Sequence, residues 1–88
     1  MSNIKFIDQL RLGVLRGRKN AITKVVNEGK RELLKAVDRA AVGCEIDVTH
    51  YDDVVRTEVG NIFKSWELQT EMQSRNGREY IRLTVTGA

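Results

Sequence analysis

The residue types that bind metals or act as general bases lie side by side at one place in this sequence. His50, Asp52 and Asp53 put an imidazole next to two carboxylates at the end of a predicted strand. Successive residues at the start of a helix point in different directions, so these groups are not expected to converge. The chain has one His and one Cys, too few for a four-ligand zinc site. We therefore predict neither a metal site nor a catalytic site here.

Two other features suggest chemistry less strongly. Cys44 takes an inward position of a predicted strand, where a free thiol behaves as a small hydrophobic side chain. The glycine-containing segment 13–19 lacks the preceding strand and the spacing of a phosphate-binding loop. No nucleophile–base pair or carboxylate pair is apparent elsewhere, so the sequence predicts a protein that is not an enzyme and uses no cofactor.

The charge of the chain is uneven along its length. The net charge is +3, but ten basic and four acidic residues fall within the first 40 positions, and the remainder is acidic. Solvated helix faces, self-association and an anion-binding surface all agree with this pattern. For binding a partner or ligand we select exposed basic and aromatic side chains near the first predicted turn and on the last strand: Arg11, Arg16, Arg18, Lys19, Tyr80 and Arg82.

Residues 1–42 are predicted to form a basic helical hairpin. Ile4, Ile7, Leu10, Val14 and Leu15 have helical spacing, which predicts a helix over about 4–16, capped by Ser2 or Asn3 and ended by Gly17. A second helix is expected to begin at the cap Asn20 and to stop at Gly43.

Residues 43–88 are predicted to form a β-α-β-β unit. Alternation over 44–49 indicates a strand, and Thr49 can cap a third helix that buries Val55, Val59, Ile62, Phe63 and Trp66. Asn76-Gly77 is a strong hairpin signal, which pairs Arg75 with Arg78 and every residue outward from them. The predicted fold is a single α+β domain, α-α-β-α-β-β, with helices on one face of a mixed three-stranded sheet.

A homo-oligomer is the expected assembly. The second predicted helix spans about 30 Å at 1.5 Å per residue, longer than a three-stranded sheet can cover. A small domain also gains stability by oligomerising. We assign the interface to one side of that helix, at Val25, Gly29, Leu33 and Val37. Because no long apolar run is present and Asp8 interrupts the apolar start, we expect a cytoplasmic protein with no membrane partner.

The C-terminal half resembles small proteins encoded by tailed bacteriophages. The resemblance rests on the layout of segments 40–43, 44–48, 61–66 and the hairpin through 75–85. Such proteins include virion components and inhibitors or sequestering proteins aimed at host systems, and the resemblance implies no catalytic residues. It leads us to expect a binding protein that acts as a homo-oligomer on a host macromolecule or a small anionic ligand in the host cytoplasm. A virion assembly protein and a nucleic-acid-binding accessory protein are the alternatives.

Overall fold

The computed structural model describes residues 5–87 and has an α+β fold, as predicted. Two helices and three strands follow one another in the order α-β-α-β-β. They are α1 (Phe6–Asp38), β1 (Gly43–Asp47), α2 (Asp53–Ser65), β2 (Gln69–Arg75) and β3 (Arg78–Thr84). The three strands form one sheet, and both helices pack on the same face of it.

A single helix of 33 residues replaces the predicted helical hairpin, so that prediction is wrong. Gly17 and Asn20 lie inside α1, whereas Ser2 and Asn3 lie outside the described residues. A helical glycine costs about 1 kcal/mol relative to alanine, but it ends a helix only when its backbone turns left-handed, and Gly17 does not. The helix ends at Asp38, and Ala40 adopts the left-handed conformation (φ 58°) ahead of β1.

The sheet is entirely antiparallel, in the order β1-β3-β2, so the prediction of a mixed sheet is wrong. Strands β1 and β2 run in the same direction and are joined through α2. The hairpin turn folds β3 back into the gap between them, and β3 pairs with both. The chain therefore forms a split β-α-β unit with β1 and β2 at the two edges.

The predicted hairpin register is confirmed. Residues pair from Gln69–Thr84 to Arg75–Arg78, and Asn76 (φ 52°) and Gly77 (φ 75°) form the turn. Both central residues have the positive φ that a type I′ turn requires. Met72 and Ile81 share the helix-facing side of the sheet, while Glu71 and Arg82 share the outer side.

The core lies between the helices and the inner face of the sheet. Gly29 is buried on α1, and a Cβ placed there would lie 2.8 Å from Cε1 of Phe63 and 2.9 Å from Cδ1 of Ile46. Side chains of α2 and β1 therefore pack closely against the helix backbone at Gly29. The buried cluster comprises Val25, Val26, Ile46, Val48, Val55, Val59, Phe63, Ile81 and Leu83.

Asp52, and not Thr49, caps α2. The backbone N–H of Val55 donates to the Asp52 carboxylate at 2.9 Å. Thr49 instead donates its hydroxyl and its N–H to Asp47, at 2.5 and 2.9 Å. The predicted burial of Val55, Val59 and Phe63 is confirmed, but Trp66 is exposed.

Candidate functional site

The first four turns of α1 project from the rest of the molecule. We call residues 6–20 the arm and residues 21–87 the body. The described molecule measures 58 × 28 × 18 Å because α1, at 1.5 Å per residue, is about 50 Å long and only its second half packs on the body. The arm exposes six large apolar side chains, namely Phe6 (72%), Ile7 (49%), Leu10 (48%), Leu12 (46%), Val14 (52%) and Leu15 (58%).

An apolar stripe runs along one side of the arm and continues into the body. Its members, Ile7, Leu10, Val14, Gly17 and Ala21, are separated alternately by three and four residues. This is the spacing of the contact positions in paired helices. A groove lined mainly by apolar atoms runs beside the stripe, between the stripe residues and a row made by Arg11, Leu15 and Arg18.

The four basic residues chosen from the sequence all lie on α1 but do not form a cluster. Arg11 pairs with Asp8 at 3.2 Å, and Arg18 pairs with Asp52 of the body at 3.3 Å. Arg16 and Lys19 form no ion pair with any of residues 5–87. Each follows a stripe residue by two positions, which places both on the opposite side of the helix.

Tyr80 and Arg82 lie on the outer face of the sheet, away from the helices. The Arg75 guanidinium sits over the Tyr80 ring, 4.6 Å from its centroid, and pairs with Glu45. Arg82 lies between Glu45 and Glu71 on the neighbouring strands. These carboxylates offset the positive charge that an anionic ligand would need. Because the outer face of the sheet points away from the helices, Tyr80 and Arg82 do not form one site with the basic residues of α1.

The oligomer interface predicted on α1 is wrong for the residues that the fold buries. Val25 and Gly29 are inside the core of the single chain, and Leu33 packs against that core. Val37 is exposed. The sequence pattern correctly identified an apolar side of the helix, but that side of the body is covered by α2 and the sheet, and the uncovered part lies in the arm.

The two groups considered for catalysis have structural surroundings. The N–H of Val55 lowers the pKa of Asp52, and the Arg18 guanidinium lowers it further. Burial raises the pKa of the Cys44 thiol, and Glu32 raises it as well, which disfavours the reactive thiolate form. Among residues 5–87 no three His, Cys, Asp or Glu side chains lie together in a metal-binding arrangement.

The exposed arm was missed at the level of sequence because its apolar residues were expected to fold back as a separate helix. The available signal was the absence of proline from the chain, since proline breaks a helix and glycine alone does not. In the described range, neither helix combines the length and apolar character required to cross a membrane. Comparisons with protein-family models, curated proteins and solved structures find no match.

Proposed function

We propose that this chain is a non-enzymatic binding protein that acts as a homo-oligomer, and that the arm is the surface through which its copies join. The observation that carries the proposal is the exposure of the arm's large apolar side chains. Contact with water disfavours such surface by about 25 cal/mol per Å². Contiguous apolar surface of this kind is typical of interaction sites.

The helical state of the arm also favours a partner. Most helical stability in proteins comes from packing of an apolar side rather than from intrinsic propensity. The arm continues a packed helix, but it contains two glycines and packs on the body only near its end. Covering its apolar side would stabilise the helix and remove the exposed surface in one step.

Two matched variants test the proposal. Leu10 lies on the stripe and Leu12 lies two residues later, on the opposite side, with nearly equal exposure. We expect sedimentation velocity to show reversible self-association of the wild type, weakened about tenfold or more by Leu10→Ser and little changed by Leu12→Ser. A wild type that stays monomeric at every concentration, or equal effects of the two variants, would contradict the proposal.

A second candidate function is binding of a polyanion such as nucleic acid. It is supported by Arg16 and Lys19, which face away from the stripe and make no ion pair among residues 5–87. A DNA oligonucleotide should then bind with an affinity that falls steeply with salt, and the double variant R16E/K19E should reduce the slope. Weak binding with no salt dependence would exclude this function.

The target of the oligomer follows from the phage resemblance alone. We propose a host macromolecule or a small anionic ligand as the first choice and virion assembly as the alternative. An inhibitor should form a complex of fixed stoichiometry with its target, whereas an assembly protein should form larger oligomers as its concentration rises. Sedimentation velocity of this chain over a range of concentrations tests for larger oligomers, and the same measurement with a candidate target added tests for a complex of fixed stoichiometry.

A further inference from the structure

We infer that two copies of this chain join by laying their arms side by side in antiparallel orientation, with Leu10 of each copy against Val14 of the other. The inference rests on the proposed function and specifies the partner of the arm. Its first support is the spacing of the stripe. Ile7, Leu10 and Val14 follow the pattern of contact positions between two paired helices, and each is about half exposed.

Side-chain size along the stripe is the second support. The large residues Ile7 and Leu10 lie near the free end, and the small residues Gly17 and Ala21 lie near the body. An antiparallel partner therefore places large side chains opposite small ones, with Ile7 over Gly17 of the other copy. A parallel partner would place large on large at one end and leave a gap at the other.

The glycines of the arm have no explanation within the single chain. A Cβ added at Gly13 or Gly17 would meet nothing within 4 Å, in contrast to Gly29, where Phe63 fills the space. Each glycine nonetheless costs the helix about 1 kcal/mol relative to alanine. Close approach of another backbone is the usual reason for glycine at such a position, and an antiparallel arm supplies it.

Charge also permits two arms to meet, although the arm carries four basic residues and one acidic residue. The two arginines beside the stripe are each paired within their own chain, Arg11 with Asp8 and Arg18 with Asp52. Arg16 and Lys19 point away from the contact.

The shape of the molecule favours a second copy over a flat surface. Val25 follows Val14 by 11 residues, about three helical turns, so the stripe and the core share one side of α1. The body therefore projects on the side to which the stripe points. A corner of about 300 Å³ forms there, lined on one wall by Val14, Gly17 and Ala21 and on the other by His50, Tyr51 and Val55. A membrane cannot enter this corner, whereas the end of another arm can.

Cysteine pairs report the orientation directly. In a Cys44→Ser background, protein carrying Leu10→Cys is mixed with protein carrying Val14→Cys and oxidised. We expect the mixed disulfide to exceed the Leu10→Cys homodimer by about tenfold, because the antiparallel arrangement aligns position 10 with position 14. A predominant Leu10→Cys homodimer would indicate a parallel pair and overturn the inference.

A second pair of variants tests the close approach. Gly17→Leu should weaken the dimer about tenfold or more in sedimentation velocity because the added side chain fills the space of the partner's Ile7. Arg16→Leu adds the same side chain one residue away, outside the contact, and should leave the dimer intact. Circular dichroism checks that both variants keep their helices.

The remaining outcomes separate the inference from the proposed function. A dimer that Leu10→Ser weakens but Gly17→Leu does not would leave the proposed function standing and reject this arrangement. A monomeric wild type would reject both. Binding of the monomer to anionic phosphatidylglycerol vesicles through Leu10 would replace the second copy with a lipid surface.

Discussion

At the scale of single residues, the glycines of α1 show that the same residue type has opposite consequences in one helix. Gly29 leaves room for Phe63 and Ile46, while Gly13 and Gly17 face open space. Intrinsic helix propensity alone would treat the three positions alike, since each glycine costs the helix about 1 kcal/mol relative to alanine. Their neighbours decide what the missing side chain contributes.

Gly29→Ala should therefore destabilise the protein, even though alanine is the better helix former. The new methyl group would overlap the Phe63 ring and the end of Ile46, and overpacking of this kind costs about 1–3 kcal/mol. Gly60→Ala in α2, where a Cβ meets nothing within 4 Å, should instead stabilise by about 0.5–1 kcal/mol. Urea unfolding at one protein concentration measures both, and equal effects of the two variants would contradict the packing argument.

The carboxylate of Asp47 should make stability depend on pH in acid. The hydroxyl and N–H of Thr49 lower its pKa to about 2, with a further contribution from Arg78, which donates to Asp47 at 2.8 Å. Because the folded pKa lies below the ordinary value of 3.8, the unfolded chain binds the proton first as pH falls. The stabilisation is complete above about pH 4 and is lost toward pH 2.

We expect Asp47→Asn to flatten the fall in unfolding midpoint between pH 4 and pH 2, and Thr49→Ala to flatten it in part. Thr49→Ala removes the hydroxyl donor but keeps the backbone N–H donor. Thermal unfolding followed by circular dichroism across this pH range is the measurement. An unchanged slope in Asp47→Asn would show that other carboxylates account for the acid sensitivity.

At the scale of elements, the hairpin was predicted correctly, whereas the end of the first helix and the order of the strands were not. The Asn76-Gly77 turn sets the register of the hairpin, since a type I′ turn and a period of two determine the pairing together. Whether Gly17 ends a helix depends on a backbone angle that its neighbours do not dictate. The position of β3 between β1 and β2 depends on packing of the whole chain, and so does the burial of Val25 and Gly29 against α2 and the sheet.

The two halves of α1 should differ in local stability. Residues 22–38 pack on α2 and the sheet, whereas the arm makes few contacts with the rest of its own chain. In the monomer at high dilution, arm amides should exchange with deuterium about tenfold or more faster than those of residues 25–36. Above the dimer dissociation constant the arm amides should become protected. Protection of the arm that does not change with concentration would mean that it is held by contacts within its own chain.

At the scale of the whole molecule, an 88-residue chain commits about half of its long helix to a surface outside its own core. The sequence predicted that a helix would outrun the sheet, but it placed the uncovered side at residues that the fold buries. The physical reason is that both ends of α1 carry an apolar side in the same direction, and periodicity does not say which end the sheet covers. In the assembled pair, the bodies would lie at opposite ends of two overlapped arms.

This arrangement predicts the size of the dimer. Two molecules 58 Å long that overlap along their arms by about 22 Å would extend over roughly 90 Å. Small-angle X-ray scattering of the wild type above its dissociation constant should give a maximum dimension near this value, and Gly17→Leu at the same concentration should give one near that of the single chain. A dimer joined through the free edge of β2 or by packing of one body on another would be shorter and insensitive to Gly17→Leu. A short dimer would therefore move the interface from the arm to the body, while a long one that Gly17→Leu abolishes is expected only if the arms themselves make the contact.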